Sequence, residues 1–305
     1  MGKKKQYGDH QHFISRMYLK YFANPKDQVR VYRKDGRGWW SRTDRTACER
    51  HFYEFEVAGY RSDFVPEMKF SELETKAGEI VPKLLQHQTL SRRAYLYWSM
   101  YVATLFLRTR MMREVPLLTA MQRITTDSAV REEQYQFFKN GILVPFADLK
   151  RKAEASAELL RNHPAFFHWC NVGANLSNYV QALLNKEWLV LPVTERETFI
   201  TSDSPVLAGE FGDGEFGVRD GLLNPKHSIF FPLTPRALFF ATPIGPPRRF
   251  KLWDQEVRMF NRVIASCAHR EIYASSFSWR YQELADLISG DFNHFRPTGR
   301  AFVCC

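Results

Sequence analysis

The sequence has few cysteines, little glycine or proline, and no paired thiol motif. Among its 305 residues are five cysteines, 16 glycines and 15 prolines. These counts exclude collagen-like proteins and disulfide scaffolds. The cysteine number is odd and no Cys-x-x-Cys spacing occurs, which is typical of free thiols in a reducing cytosol and argues against a four-thiolate zinc site. The five are Cys48, Cys170, Cys267, Cys304 and Cys305.

Long apolar segments are also missing. The longest, residues 95–107, contains Ser99 and Thr104 and is too short to cross a bilayer. The first ten residues include three lysines at 3–5, but no apolar segment of the kind found in signal peptides follows them. We therefore expect a cytoplasmic protein that does not associate with a membrane.

Aromatic residues and positive charge are abundant. The chain has 25 Phe, 13 Tyr and 7 Trp, which supply enough apolar surface for a large core and exclude a disordered chain. Lys and Arg number 43 against 33 Asp and Glu, so the formal net charge is +10. This surplus favours anionic partners such as nucleic acid or another phosphate-bearing ligand. The alternative is a basic surface without a specific anionic partner.

Hydrophobic periodicity predicts an α+β fold. Strands near both termini flank a helical middle, so we expect a mixed or antiparallel sheet from N- and C-terminal strands with a large central helical insertion. Residues 1–305 would form a single domain and 66–187 the insertion. The glycine-rich segment 209–221 is predicted to be a mobile loop. Helices are predicted at 12–22, 66–88, 92–113, 117–139, 147–161, 166–186, 253–270 and 281–289. Strands are predicted at 28–33, 39–41, 188–193, 198–201, 228–233, 237–241 and 272–275.

Two histidines near the N-terminus are candidates for chemistry. His10 and His12 are separated by one residue, a spacing that lets both rings face one metal ion on an extended segment. Asp203, Glu49 and Glu54 are possible further ligands, so His10, His12 and Asp203 are the metal candidates. His12 alone also suits general acid/base catalysis, because its pKa lies near neutral pH. The alternative is a capping or surface histidine pair.

The sharpest local motif is Phe-Ile-Thr-Ser-Asp-Ser-Pro at 199–205. A predicted strand ends there in hydroxyl groups, including that of Thr201, around the Asp203 carboxylate. That carboxylate can bind a metal, orient a histidine or accept a hydrogen bond from a substrate. The alternative is an Asx turn in which Asp203 caps its own backbone.

Arginines and tryptophans form two further groups. Arg108, Arg110 and Arg113 end the predicted central helix, where guanidinium groups can bind a phosphate or form structural ion pairs. Trp39-Trp40, between Arg37 and Arg42, suits base stacking. The alternative is a hairpin that packs one tryptophan inward.

Two motifs resemble those of a bacterial family catalogued as domain of unknown function 4238. Residues 12–22 resemble its HxxPxxYLxxF opening, with Ser15 in place of the proline, and 199–205 resemble its FITSDxP segment. The similarity extends over about 10–275, including 51–53, 107–109 and 231–235. It implies one architectural unit but no reaction. The site residues that it implies are His12, Tyr18, Arg108, Thr201, Asp203 and Asn261.

Two functional hypotheses follow. In the first, the protein is a phosphodiester hydrolase with His12 as general acid/base, Asp203 orienting it or holding a divalent metal, and Arg108 stabilising the phosphate charge. Thr201 and Asn261 would contact the substrate. In the second, the protein is a non-enzymatic binding module whose basic surface docks nucleic acid or an acidic protein partner. His12 and Asp203 would then only tie the N-terminal segment to the sheet.

Overall fold

In the computed structural model the described residues are 10–36, 38–57, 60–62, 65–114, 137–139, 142–144, 158, 161–194, 196–212, 215–218, 222–243, 251–288 and 301–302. The elements in chain order are β1 (His10–His12), α1 (Arg16–Lys20), β2 (Gln28–Tyr32), β3 (Gly38–Arg42), β4 (Cys48–Arg50), β5 (Phe55–Val57), β6 (Tyr60–Ser62), α2 (Val65–Leu85), α3 (Arg92–Leu107), β7 (Phe137–Lys139), β8 (Ile142–Val144), α4 (Pro164–Leu184), β9 (Glu187–Pro192), β10 (Thr201–Ser202), β11 (Leu207–Gly212), β12 (Glu215–Val218), β13 (Ser228–Thr234), β14 (Ala237–Thr242), α5 (Asp254–Ser266), β15 (Ile272–Ala274), α6 (Trp279–Ala285) and β16 (Ala301–Phe302).

Strands from both ends of the chain share one four-stranded antiparallel sheet, in the order β10-β15-β2-β3. Ile272 of β15 lies opposite Tyr32 of β2, and Thr201 of β10 lies opposite Tyr273 of β15. In β2, Val29 and Val31 are buried while their neighbours Gln28 and Arg30 are partly exposed, which is the alternation of a strand with one face on the core. The α+β prediction, with N- and C-terminal strands in one sheet, is confirmed.

A second antiparallel sheet has the order β16-β12-β11-β13-β14-β9. Every residue of β14, and all of β13 except Thr234, is buried, so these strands form the centre of the core. The mobile loop predicted at 209–221 is wrong where the structure describes it, because β11 and β12 form a hairpin there. Pairing with β13 gives the backbone of β11 hydrogen-bond partners. This pairing outweighs the flexibility of the glycines in β11.

In the middle of the chain, helix α3 packs against both α2 and α4. Trp98 and Tyr101 of α3 are buried, as expected for a central helix. The helix predicted over 92–113 is broken at 108–109, because the Thr109 hydroxyl accepts a hydrogen bond from Met112 N and starts a new helical turn. The insertion over 66–187 within a single domain stays a prediction.

Two other predicted helices lie largely outside the described residues, at 117–139 and 147–161. Where the first of them ends, β7 pairs instead with β8. None of the helices in the described ranges combines the length and the apolar character that crossing a bilayer requires.

The N-terminal segment begins as a strand, so the helix predicted at 12–22 is wrong at its start. His10–His12 pair with β4, and α1 begins only after Ser15, whose hydroxyl accepts a hydrogen bond from Tyr18 N. The Tyr18 hydroxyl then donates to the Pro232 carbonyl (2.7 Å) and lies 2.7 Å from Thr201 Oγ1. This buried side chain therefore connects α1 to both large sheets.

Candidate functional site

Asp203 is buried and its carboxylate accepts three backbone hydrogen bonds. Oδ1 accepts from His269 N (2.8 Å), and Oδ2 accepts from Arg270 N (2.7 Å) and Glu271 N (3.2 Å). The residue is 1% exposed. Burial and the nearby negative charge of Glu271 raise the pKa of Asp203 to about 6, although the backbone hydrogen bonds oppose this shift. The carboxylate thus holds the segment that leads from α5 into β15.

The groups around Asp203 are occupied by ion pairs. Glu271 binds the Arg33 guanidinium and accepts a hydrogen bond from the Tyr273 hydroxyl (2.8 Å). Glu114 contacts His269 Nε2 (2.8 Å) and the Arg270 guanidinium (3.0 Å). Opposite charges therefore balance at this end of the sheet, which is characteristic of a structural network.

His12 lies on another strand, β1, and has another partner. Its Nε2 is 3.3 Å from the Thr43 carbonyl oxygen, which can only accept, so this nitrogen carries the proton. Burial and the positive charge of Arg108 lower the pKa of His12, so the ring is neutral at pH 7. Within the described structure no hydrogen bond or ion pair joins His12 to Asp203. Sequence reasoning placed them in one site, and the structure gives each its own backbone partners.

The three arginines after α3 all contact acidic side chains. Arg108 donates from Nη1 to Glu74 (2.6 Å) and from Nε to the Phe13 carbonyl (3.4 Å), and its side chain is 3% exposed. Arg110 and Arg113 share Glu49. These contacts favour the structural alternative for the three side chains.

Thr201 and Asn261 surround the same segment as Asp203. Thr201 is bound to Tyr18, as described above. Asn261, on α5, accepts from Ile200 N (3.0 Å) and donates to the Thr198 carbonyl (2.9 Å), so it pairs both backbone groups of the chain entering β10. The structure therefore brings Thr201, Asp203 and Asn261 together around one segment. Asp203 and Asn261 bind backbone groups, and Thr201 binds the Tyr18 hydroxyl.

The described part of the chain contains no cluster of side chains that matches the predicted metal site. His10 Nδ1 lies 3.9 Å from Cys48 Sγ, while His12 faces Thr43. The described residues contain no group of three or more His, Cys, Asp or Glu side chains placed to hold a metal ion. The metal site therefore stays a prediction.

A different group of side chains is exposed on the four-stranded sheet and on the segment after β15. Trp40 is 40% exposed, Phe277 49% and Trp279 75%. The Arg30 guanidinium lies 5.8 Å from the centre of the Trp40 ring and 5.4 Å from that of Phe277. The rings of Phe277 and Trp279 are 5.3 Å apart. We name these four residues, Arg30, Trp40, Phe277 and Trp279, the aromatic surface.

Strand register explains why Arg30 and Trp40 meet. They lie opposite each other on β2 and β3, and the next pair on the same face is Tyr32 and Gly38. A Cβ on Gly38 would lie 3.2 Å from Arg30 Nη2, so the glycine leaves room for the guanidinium. Phe277 is brought over Arg30 because the Tyr32 hydroxyl donates to the Ser276 carbonyl (3.3 Å) and accepts from Ser278 N (3.1 Å).

Charged side chains of both signs lie beside the aromatic surface. In the described part of the chain, Arg30 has no carboxylate within 4.0 Å, and its buried Nε has no hydrogen-bond partner. Arg280, next to Trp279, shares the carboxylate of Glu197 with Arg258, and the two arginine side chains are 66% and 49% exposed. Asp254, which accepts from Glu197 N (2.8 Å), and the exposed Glu283, three residues after Arg280 on α6, add two carboxylates here. Arg30 therefore carries the positive charge on this face that has no carboxylate partner in the described structure.

Sequence reasoning found only part of this group. Trp39 and Trp40 were candidates for stacking with Arg37 and Arg42. Arg37 lies outside the described residues, and Arg42 pairs with Asp44 (3.2 Å). Trp39 lies on the other face of β3, where Arg33 packs 4.9 Å from its ring centre.

The other members of the aromatic surface were missed. Arg30, Phe277 and Trp279 reach Trp40 through tertiary folding, from segments far apart in the sequence. The signal available in the sequence is the spacing of Phe277 and Trp279, two and four residues after the strand predicted at 272–275.

Comparison with known families shows to which family the chain belongs. The family model described as "Protein of unknown function (DUF4238)" matches residues 10–278. The chain belongs to this family. The matched range spans 12–22 and 199–205, and it spans the aromatic surface except for Trp279. No curated protein and no solved structure gives a significant match.

Proposed function

We propose that this DUF4238 chain binds nucleic acid through the face formed by the aromatic surface together with Arg258 and Arg280. The observation that carries the proposal is the Arg30 guanidinium, which no carboxylate in the described structure neutralises and which lies beside the exposed rings of Trp40 and Phe277. Guanidinium groups bind phosphate oxygens, and rings of this kind stack on bases. The net charge of +10 adds long-range attraction for a polyanion.

The contacts of the most distinctive motifs support a binding function over catalysis. A phosphodiester hydrolase built on His12 and Asp203 requires both side chains to reach one substrate. His12 is neutral and bonded to Thr43, while Asp203 is covered by three backbone N–H groups. Catalysis by this pair stays a prediction. The same contacts are those of two side chains that each hold backbone groups in place.

An acidic protein partner is the other candidate for a basic surface. Its carboxylates would be expected to pair with guanidinium groups, but carboxylates supply no flat group to stack on the exposed rings. Nucleic acid offers both phosphates and flat bases, so it matches both properties of this face.

The experiment is a titration of labelled oligonucleotides by fluorescence anisotropy at several salt concentrations. We expect the logarithm of the association constant to fall linearly with the logarithm of the salt concentration. Arg258→Gln and Arg280→Gln should each weaken binding and reduce the slope by about one phosphate contact.

Arg92→Gln is the matched control, because Arg92 is an exposed arginine of α3, outside this face. It should leave affinity and slope nearly unchanged. Lack of binding at about 50 mM salt, where phosphate contacts are strong, would refute the function. Equal losses in Arg92→Gln and Arg280→Gln would refute the location.

A further inference from the structure

The aromatic surface distinguishes between forms of nucleic acid, and we propose that it binds single strands by stacking their bases on Trp40, Phe277 and Trp279. This inference rests on the proposed function, and it adds the class of ligand and the residues that select it. Its basis is the combination of exposed rings and a cation held between two of them.

The exposure of the rings is unusual for side chains of their size. Trp279 is 75% exposed although it lies in the first turn of α6, and Phe277 is 49% exposed. Large aromatic side chains normally contribute to the core, so contiguous exposed rings indicate an interaction surface. Trp40 and Phe277 each pack one part of the ring on Arg30 and leave another part in solvent.

Arg30 acts as a positioning residue between these rings. Its guanidinium lies 5.4–5.8 Å from the ring centres of Tyr32, Trp40 and Phe277, which is within the range of cation–π attraction. Since no carboxylate in the described structure neutralises it, its positive charge remains available to an anionic ligand. The Arg30 guanidinium therefore orders the rings and contributes to the positive charge that attracts phosphates.

Only a single strand offers free base faces to such rings. In a duplex each base is already stacked between neighbours, and exposing it costs a few kcal/mol. Stacking on an aromatic side chain contributes about 1–3 kcal/mol per base and tolerates any sequence. The positive charge of Arg30 beside the rings complements the phosphates of the same strand. We therefore expect preference for single strands with little sequence selectivity.

The chain supplies a matched control for the stacking residues. Trp39 and Trp40 are neighbours on β3 with similar exposure, 36% and 40%, but they lie on opposite faces of the strand. Trp39 packs on Arg33, away from Phe277 and Trp279. Replacing either tryptophan by alanine removes the same side chain from the same strand, and only one change removes a ring of the aromatic surface.

The experiment measures binding of one labelled 12-nucleotide strand and of the same sequence as a duplex, with the full chain. We expect the wild type to prefer the single strand at least tenfold. Trp40→Ala and Trp279→Ala should each weaken single-strand binding about five- to 150-fold. Trp39→Ala should change it less than twofold. Circular dichroism and thermal melting establish that each variant is folded, and Trp40→Phe, which keeps a flat ring, should recover part of the affinity.

The experiment distinguishes failure of the stacking inference from failure of the proposed nucleic-acid function. Equal affinity for duplex and single strand, with Trp40→Ala binding like the wild type while Arg280→Gln weakens binding, would overturn the stacking inference and leave the nucleic-acid function standing. Equal losses in Trp39→Ala and Trp40→Ala would also overturn the stacking inference. No binding to either form at low salt would overturn both.

Discussion

Replacement of Asp203 by asparagine tests how its carboxylate contributes to stability. Asp203→Asn keeps the shape of the side chain and removes its titration. In the folded state burial and Glu271 raise the pKa of Asp203 from 3.8 to about 6. Because the folded state then binds the proton more tightly than the unfolded state, stability from this group decreases as pH rises through this interval.

The magnitude follows from the pKa difference. One pKa unit corresponds to about 1.4 kcal/mol at 25 °C, so the change from 3.8 to about 6 corresponds to about 3 kcal/mol. Because the unfolded carboxyl is already more than half ionised at pH 4, the free energy of unfolding of the wild type should fall by about 2 kcal/mol relative to that of Asp203→Asn between pH 4 and pH 7. Titratable groups that do not interact with Asp203 cancel in this difference.

The assay is urea unfolding of both proteins at pH 4, 5, 6 and 7, followed by circular dichroism. Asp44→Asn is the control with the opposite sign, because the hydrogen bond from Arg42 lowers the pKa of Asp44. For that exposed pair, wild-type stability relative to the variant should rise slightly with pH. If the wild type gains stability over Asp203→Asn as pH rises, the three backbone hydrogen bonds dominate and the reasoning is refuted.

Two further predictions concern His12 and Gly38. His12→Gln can still donate a hydrogen bond toward the Thr43 carbonyl, so its melting temperature should be closer to that of the wild type than that of His12→Ala. His12→Ala should lose about 1 kcal/mol of unfolding free energy. A manganese-dependent nuclease activity of the wild type that is absent from both variants would instead support catalysis. Gly38→Ala should destabilise the protein because its Cβ would lie 3.2 Å from the Arg30 guanidinium. In an Arg30→Ala background the same change should cost less, and equal costs in a double-mutant cycle measured by urea unfolding would show that Arg30 is not the obstacle.

Much of the fold could be predicted because local patterns and tertiary environment agree. The strand at 28–33 and the helices at 66–88 and 166–186 are present within a few residues. The failures have local causes that outweigh periodicity. At 12–22 the cap formed by Ser15 delays the helix until Arg16, and the preceding residues pair with β4. At 209–221 strand pairing overrides glycine content.

The candidate site was harder to predict because its residues carry no local motif. His12 and Asp203 are conspicuous in the sequence since each lies in a distinctive polar motif, yet each satisfies a backbone group. Arg30 lies in an ordinary alternating strand, and Phe277 lies 247 positions later in the chain. They meet only because β15 pairs with β2 and the Tyr32 hydroxyl fixes the chain at 276 and 278. A motif that stabilises the fold can therefore be easier to recognise in the sequence than a binding surface that forms only by tertiary folding. The comparison of Trp39→Ala with Trp40→Ala tests this distinction on two adjacent residues.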